Sequence, residues 1–158
     1  MFKTTELTQK SGSFVIPYNF KNNHFISPFI DKPVSDITLD DVNNAASYYF
    51  RYDGFMSLMV TRSGFLGSYE GYAWEESAVE EVKNCIRWID KFTVKVKRAN
   101  FKIGSSYGLK HIVEHDCGDY ISNGSFIVAA LMRGYSIKPC DTGLNCYFNM
   151  KYKPGAKP

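Results

Sequence analysis

No run of apolar residues in this 158-residue sequence approaches the roughly 20 that an α-helix needs to span a bilayer. The opening segment MFKTTELTQKSG likewise contains no apolar stretch of the secretory type. The four cysteines form no Cys-x-x-Cys pair; they are Cys85, Cys117, Cys140 and Cys146. We therefore expect a cytoplasmic protein with reduced thiols and no membrane partner.

Enzyme motifs are equally scarce. The stretches GSYEG and GSSYG have neither the lysine nor the spacing of a phosphate-binding loop. No nucleophile elbow surrounds a serine, and no papain-like sequence surrounds a cysteine. We therefore expect a non-enzymatic protein without a cofactor.

Aromatic residues, in contrast, are plentiful, with 11 Tyr and 12 Phe. Disordered chains have few aromatic residues and a high net charge, whereas this chain carries only +3. The chain is therefore predicted to fold and to keep some aromatic surface for a partner.

Positive charge is concentrated in one segment. Residues 91–113 contain six basic residues and no acidic one, while residues 1–90 contain 8 basic and 12 acidic residues. Such a segment attracts phosphates or an acidic protein face, although a solvated Lys-rich strand and loop is the alternative. The predicted binding residues are Lys95, Lys97, Arg98, Lys102, Tyr107, Lys110, His111 and Asn123.

Residues 1–103 are predicted to form an α+β lobe of two helices and a β-hairpin, with an irregular arm over residues 1–36. Thr38 is a candidate N-cap for the first helix. The segments FMSLMVT and FLGSYEGYAW flank a turn and predict the hairpin.

The second helix of this lobe is predicted from Ser77 and Glu80, which have the spacing of a capping box. Four polar residues of this helix are predicted to face away from the core: Glu80, Glu81, Lys83 and Arg87. The segment FTVKVKR then alternates as a strand, with Thr93, Lys95 and Lys97 on its polar side.

Residues 104–158 are predicted to form a helix-turn-helix followed by a β-hairpin, the outline of a winged-helix-like module. Ser105 or Ser106 caps the first helix, and Ser122 or Asn123 caps the second. Gly134 follows where a left-handed residue is needed, and YSIK then pairs with CYFNMKYK. The second helix, GSFIVAALMR, is apolar on nearly every side and poorly suited to reading bases. The two parts together are expected to make one compact α+β domain.

His111, Glu114 and His115 form the pattern His-x-x-Glu-His. This pattern resembles the inverted zincin motif, in which two His bind a metal ion and the Glu is the general base. A third protein ligand is needed, commonly a later Glu, but no Glu follows Glu114; Asp119 and Asp141 are candidate substitutes. We therefore expect no metal at this pattern. A structural zinc site at His115, Cys117, Cys140 and Cys146 stays open, although separate thiols are favoured.

The last third of the chain contains a distinctive pattern: Ser-Tyr-Gly-Leu-Lys-His at 106–111, Ser-Asn-Gly at 122–124, and Gly-Tyr at 134–135. It resembles a recurring C-terminal module in small proteins of bacteriophages and genomic islands, a group with no settled activity. The resemblance implies an origin on a mobile element and action in a bacterial cytoplasm. By analogy, such accessory proteins bind host machinery, as anti-CRISPR inhibitors do.

Three functions follow from these observations. The first is a non-enzymatic phage or mobile-element protein that binds and occludes a host nucleoprotein or nuclease. The second is a winged-helix-like protein that binds DNA or RNA. The third is a metal-dependent hydrolase that uses His111, Glu114 and His115. The oligomeric state stays open.

Overall fold

The computed structural model describes residues 4–8, 15–19, 24–25, 27–47, 59–66, 74–140 and 144–158. The helices within these ranges are Leu39–Ser47 (α1), Glu76–Phe92 (α2), Ser106–Cys117 (α3) and Asn123–Met132 (α4), with 3₁₀ helices at Val34–Asp36 and Phe101–Ile103. None of the described helices is long and apolar enough to cross a membrane.

The described strands are short and pair antiparallel. They are Thr4–Thr8 (β1), Val15–Asn19 (β2), His24–Phe25 (β3), Met59–Thr61 (β4), Gly64–Leu66 (β5), Thr93–Lys95 (β6), Ile137–Pro139 (β7), Cys146–Phe148 (β8) and Met150–Tyr152 (β9). β1, β2 and β3 form one sheet, within the arm that was expected to be irregular, and the other pairs are β4–β5, β6–β9 and β7–β8. The fold is α+β, as predicted.

α4 lies at the centre of the core. Every one of its residues is buried, because its sequence is apolar on nearly all sides. The ring of Trp88 on α2 lies 6.0 Å from that of Phe126, which lies 5.4 Å from Phe148 on β8. A recognition helix must offer side chains to base edges, so α4 is not placed to read a DNA groove in this fold.

The predicted ends of α4 are confirmed. The hydroxyl of Ser122 accepts a hydrogen bond from the Ser125 N–H at 3.2 Å, which caps the first turn. Gly134 has a φ of 81°, and the Tyr135 N–H donates to the Ala130 carbonyl at 3.0 Å. The left-handed glycine and this bond are features of a Schellman motif, which directs the chain into β7.

The predicted start of α2 is wrong in detail. The helix begins at Glu76, one residue before Ser77, and its N-cap, Glu75, makes no side-chain capping bond. The predicted hairpins are confirmed where the structure describes them, in β4–β5 and β7–β8. Residues 55–58 and 67–73 of the first hairpin and 141–143 of the second lie outside the described residues. CYFNMKYK, however, divides at Asn149 into β8 and β9, and β9 pairs with β6, which follows α2.

Two predictions about exposed residues are also wrong. Glu81 is only 8% exposed, because the β4–β5 turn places Arg62 against it. Thr93 is only 4% exposed, because its hydroxyl lies 2.8 Å from the hydroxyl of Tyr135. In both cases a partner distant in sequence buries a residue that the local pattern places outside.

Candidate functional site

Two surface clefts contain most of the residues predicted to bind a partner. The cationic cleft has a volume of about 620 Å³ and is lined by Lys95, Lys97, Gly134, Ser136, Lys138 and Asn149. The aromatic cleft has a volume of about 830 Å³ and is lined by Arg62, Tyr107, Lys110, Tyr120, Asn123 and Leu144, among others.

The walls of the cationic cleft are joined by Asn149. Its backbone carbonyl accepts from the Val96 N–H at 2.9 Å, and its side-chain amide donates to the Val96 carbonyl at 3.0 Å. Its side-chain oxygen also accepts from the Ser136 N–H at 2.7 Å. One asparagine therefore holds the residues after β6 beside those before β7, although the two segments are far apart in the sequence.

The charges of the cationic cleft are free within the described part of the chain. No ion pair there involves Lys95, Lys97 or Lys138, all of which are exposed. The Lys95 ammonium lies 5.5 Å from the ring centroid of Tyr135, a contact that orients the charge without neutralising it.

The predicted residues Arg98 and Lys102 follow Lys97 along the chain. Both are exposed, and neither makes an ion pair with a described carboxylate. Four of the eight predicted binding residues are therefore exposed cations that pair with no carboxylate in the described ranges: Lys95, Lys97, Arg98 and Lys102.

The lysine of the aromatic cleft, Lys110, is buried and paired. Lys110 was predicted to offer its charge to a partner, but it is only 6% exposed. Its ammonium lies 5.4 Å from the ring centroid of Tyr107 and 5.1 Å from that of Tyr120, and it forms an ion pair with Glu114 at 2.9 Å. The helical spacing of four residues brings the lysine and the glutamate together on α3, so this charge is neutralised within the protein.

Glu114 makes two further contacts. It accepts from the Ile121 N–H at 3.1 Å and lies 2.7 Å from Nδ1 of His111. Desolvation of the carboxylate raises its pKa, but the hydrogen bonds from Lys110, Ile121 and His111 outweigh it and leave the pKa below its ordinary value of 4.5. Glu114 therefore fixes the end of α3, and this arrangement does not favour a role as general base. The predicted residue His111 is exposed, with its ring 4.6 Å from that of Tyr107.

The metal hypotheses gain no support from the geometry. Across the described ranges, no three His, Cys, Asp or Glu side chains come together as a metal site. Cys146 is fully buried, and burial raises the pKa of its thiol, while His115 is exposed. Asp141, one of the substitutes for a third ligand, lies outside the described residues.

The floor of the aromatic cleft is a buried polar network. The carboxylate of Glu81 accepts from the guanidinium of Arg62, from the Ser122 N–H at 2.6 Å and from the Ser125 hydroxyl at 3.2 Å. The Gly124 N–H donates to the Arg62 carbonyl at 2.9 Å. The network fastens the β4–β5 turn to the start of α4 and neutralises the guanidinium of Arg62.

Asn123, another predicted binding residue, lies in this floor. It is 7% exposed, and its amide nitrogen donates to the Ser63 carbonyl at 3.0 Å and to Oδ1 of Asn145 at 2.9 Å. Its amide group therefore links the β4–β5 turn to the segment before β8.

Sequence reasoning missed several residues that line the clefts. Lys138 lies outside the basic segment and reaches the cationic cleft only because β7 runs beside the residues after β6. Arg62, Tyr120 and Leu144 reach the aromatic cleft from three separate parts of the chain. No local motif marks these residues, and only the tertiary fold brings them together.

No protein-family model matches the chain, and neither a curated protein nor a solved structure is significantly similar to it.

Proposed function

We propose that this protein is a non-enzymatic accessory protein that binds and occludes a host nucleoprotein through its cationic cleft. The observation that carries the proposal is a set of exposed cations without a described carboxylate partner. Lys95, Lys97 and Lys138 line the cleft, and Arg98 and Lys102 follow Lys97 along the chain. The bacterial host is proposed from the resemblance of the last third to phage and genomic-island proteins.

The chemistry of the cleft favours a phosphate-bearing partner. Like charges held close together repel one another, so an anion bound between Lys95, Lys97 and Lys138 lowers the free energy of the cleft. Surfaces of nucleases that bind nucleic acid are themselves cationic and would repel it. A nucleoprotein displays the phosphates of its bound nucleic acid and is the better match.

The two other functions are less well supported. Groove reading requires an exposed recognition helix, and α4 is buried along its whole length. Hydrolysis at His111, Glu114 and His115 requires a free general base, and Glu114 is engaged by Lys110, His111 and Ile121.

Affinity purification from a bacterial lysate, with and without nuclease treatment, tests the proposal. The cleft triple variant (K95Q/K97Q/K138Q) is compared with a control triple variant (R87Q/K151Q/K157Q). The control removes three exposed charges that line neither cleft. Bound nucleic acid is quantified in the eluate.

We expect the wild-type and control proteins to recover a complex that contains nucleic acid. Nuclease treatment and the cleft triple variant should each abolish that recovery, because both remove phosphate contacts. Recovery that is the same for all three proteins, or unchanged by nuclease, would overturn the proposal.

A further inference from the structure

The aromatic cleft concentrates the exposed apolar surface of the described residues. Five large hydrophobic side chains are exposed among the described residues, and three of them, Tyr107, Tyr120 and Leu144, line this one cleft. Tyr107 is 52% exposed and Tyr120 is 66% exposed. Because its cations are neutralised internally, the cleft offers aromatic rings and neutral polar groups in place of free charge. Exposed apolar clusters of this kind mark binding sites.

The β7–β8 hairpin connects this cleft to the cationic cleft. Lys138 pairs with Tyr147 across the hairpin, and both side chains lie on its outer face, since the neighbouring side chains of β8 are buried. The ring of Phe101 lies 4.8 Å from that of Tyr147 and 5.2 Å from the Lys138 ammonium. Asn145, two residues before Tyr147 and so about 7 Å away along the strand, lines the aromatic cleft.

We infer that the two clefts and this bridge form one binding track for single-stranded nucleic acid. Phosphates lie at Lys95, Lys97 and Lys138, and unpaired bases stack on Tyr107 and Tyr120. This use of the aromatic cleft rests on the proposed function and specifies which form of nucleic acid the nucleoprotein must expose.

The chemistry separates a single strand from the other anionic partners. Proteins that bind single strands combine a cationic groove with aromatic side chains, and each stacked base contributes about 1–3 kcal/mol whatever its identity. A duplex keeps its bases paired and covered, so it can use only the cationic cleft. An acidic peptide likewise finds complementary charge only there.

Fluorescence anisotropy with labelled oligonucleotides of about 12 nucleotides tests the inference. The probes are oligo-dT, oligo-U, a duplex, and an abasic strand of the same length, which keeps the phosphates but has no bases. We expect oligo-dT and oligo-U to bind the wild type about tenfold more tightly than the abasic strand, because at least one base stacks. The comparison of oligo-dT with oligo-U shows whether DNA or RNA is preferred.

Variants assign the two contributions. Y107A/Y120A should remove the difference between oligo-dT and the abasic strand and leave abasic binding unchanged. Y107F/Y120F keeps both rings and should behave as the wild type, which separates stacking from a general loss of structure. The cleft triple variant should weaken binding of every probe.

Equal affinity for oligo-dT and the abasic strand would overturn the inference. If both probes then still depended on the cationic cleft, the proposed function would stand. Tighter binding of the duplex, or a poly-glutamate peptide that binds as tightly as oligo-dT, would also overturn the inference. If no oligonucleotide bound, the inference would fail, and the nuclease-dependent purification would decide the proposed function separately.

Discussion

The cationic cleft and the aromatic cleft both contain basic side chains, but the protein uses those charges in opposite ways. Lys110 and Arg62 in the aromatic cleft are bonded to Glu114 and Glu81, respectively. Lys97 and its neighbours in the cationic cleft have no described carboxylate partner. A basic residue therefore indicates a binding surface only where the protein's own acids leave it unpaired.

For the lysines, the difference originates in the spacing of acids along the chain. The basic segment 91–113 contains no acidic residue, and the next acid, Glu114, is one helical turn beyond Lys110. Lys95 and Lys97 lie before α3, in a segment where helical spacing places no acid beside them. The spacing therefore pairs Lys110 within the protein, whereas Lys95 and Lys97 have no carboxylate partner among the described residues.

Removing Glu81 is expected to have the largest effect on stability. Glu81→Ala leaves Arg62 without its partner and the Ser122 N–H buried and unsatisfied, so we expect the free energy of unfolding to fall by about 3 kcal/mol. Glu80→Ala, at an exposed position on the same helix, should change it by less than about 0.5 kcal/mol. Urea denaturation measures both. Equal effects would show that the floor of the aromatic cleft is not a stabilising network.

A methyl group at Gly124 is expected to have the next largest effect. A Cβ there would lie 1.7 Å from the Thr61 carbonyl oxygen, so Gly124→Ala should separate the β4–β5 turn from α4 and cost about 2 kcal/mol. Gly108 on α3 has open space around it, and Gly108→Ala should stabilise the protein by about 0.5 kcal/mol. Thermal unfolding of the two variants should shift in opposite directions, and a shift in the same direction would contradict this packing.

Removing the charge of one lysine in each cleft compares the two clefts directly. Lys110→Met keeps the length of the side chain but removes the bond to Glu114, so we expect a loss of about 1 kcal/mol in the free energy of unfolding. Lys97→Met should leave stability within about 0.5 kcal/mol of the wild type and weaken oligonucleotide binding. Chemical denaturation and anisotropy together test this assignment. A stability loss in Lys97→Met without a binding loss would reverse it.

The smallest expected effect is the pH dependence contributed by Glu114. Its pKa in the folded protein lies below the ordinary value of 4.5, so the carboxylate stabilises the fold fully above that value. The contribution is lost as the pH falls below 4.5 and through the folded-state pKa. The stability difference between the wild type and Glu114→Gln should therefore be constant near neutral pH and shrink in acid. A difference that grows in acid would contradict the bonds drawn to Glu114.

Features that depend on neighbouring residues could be predicted from the sequence. The cap at Ser122 and the left-handed Gly134 are set within a few residues of the ends of α4, and the β7–β8 hairpin follows from strand pattern and turn residues. The burial of α4 also follows from its composition.

Features that depend on distant partners could not be predicted. Glu81 appears on the polar side of α2, yet its bond to the Ser122 N–H spans 41 residues of sequence. Asn149 ends β8 because its side chain bonds to Val96 and Ser136. Neither partner can be predicted from the sequence around Asn149. The exposed positions of Lys95 and Lys97 were predicted correctly, whereas the burial of Lys110 depends on Tyr120 and the far end of α3.

The most direct test is the salt dependence of oligo-dT binding. For single strands, each phosphate contact contributes about 0.7 to the slope of the logarithm of the binding constant against the logarithm of salt concentration. We predict that the magnitude of this slope decreases by about 2 in the cleft triple variant and stays at its wild-type value in the control triple variant. Equal slopes in the wild type and the cleft triple variant would show that the free lysines of the cationic cleft do not contact phosphates.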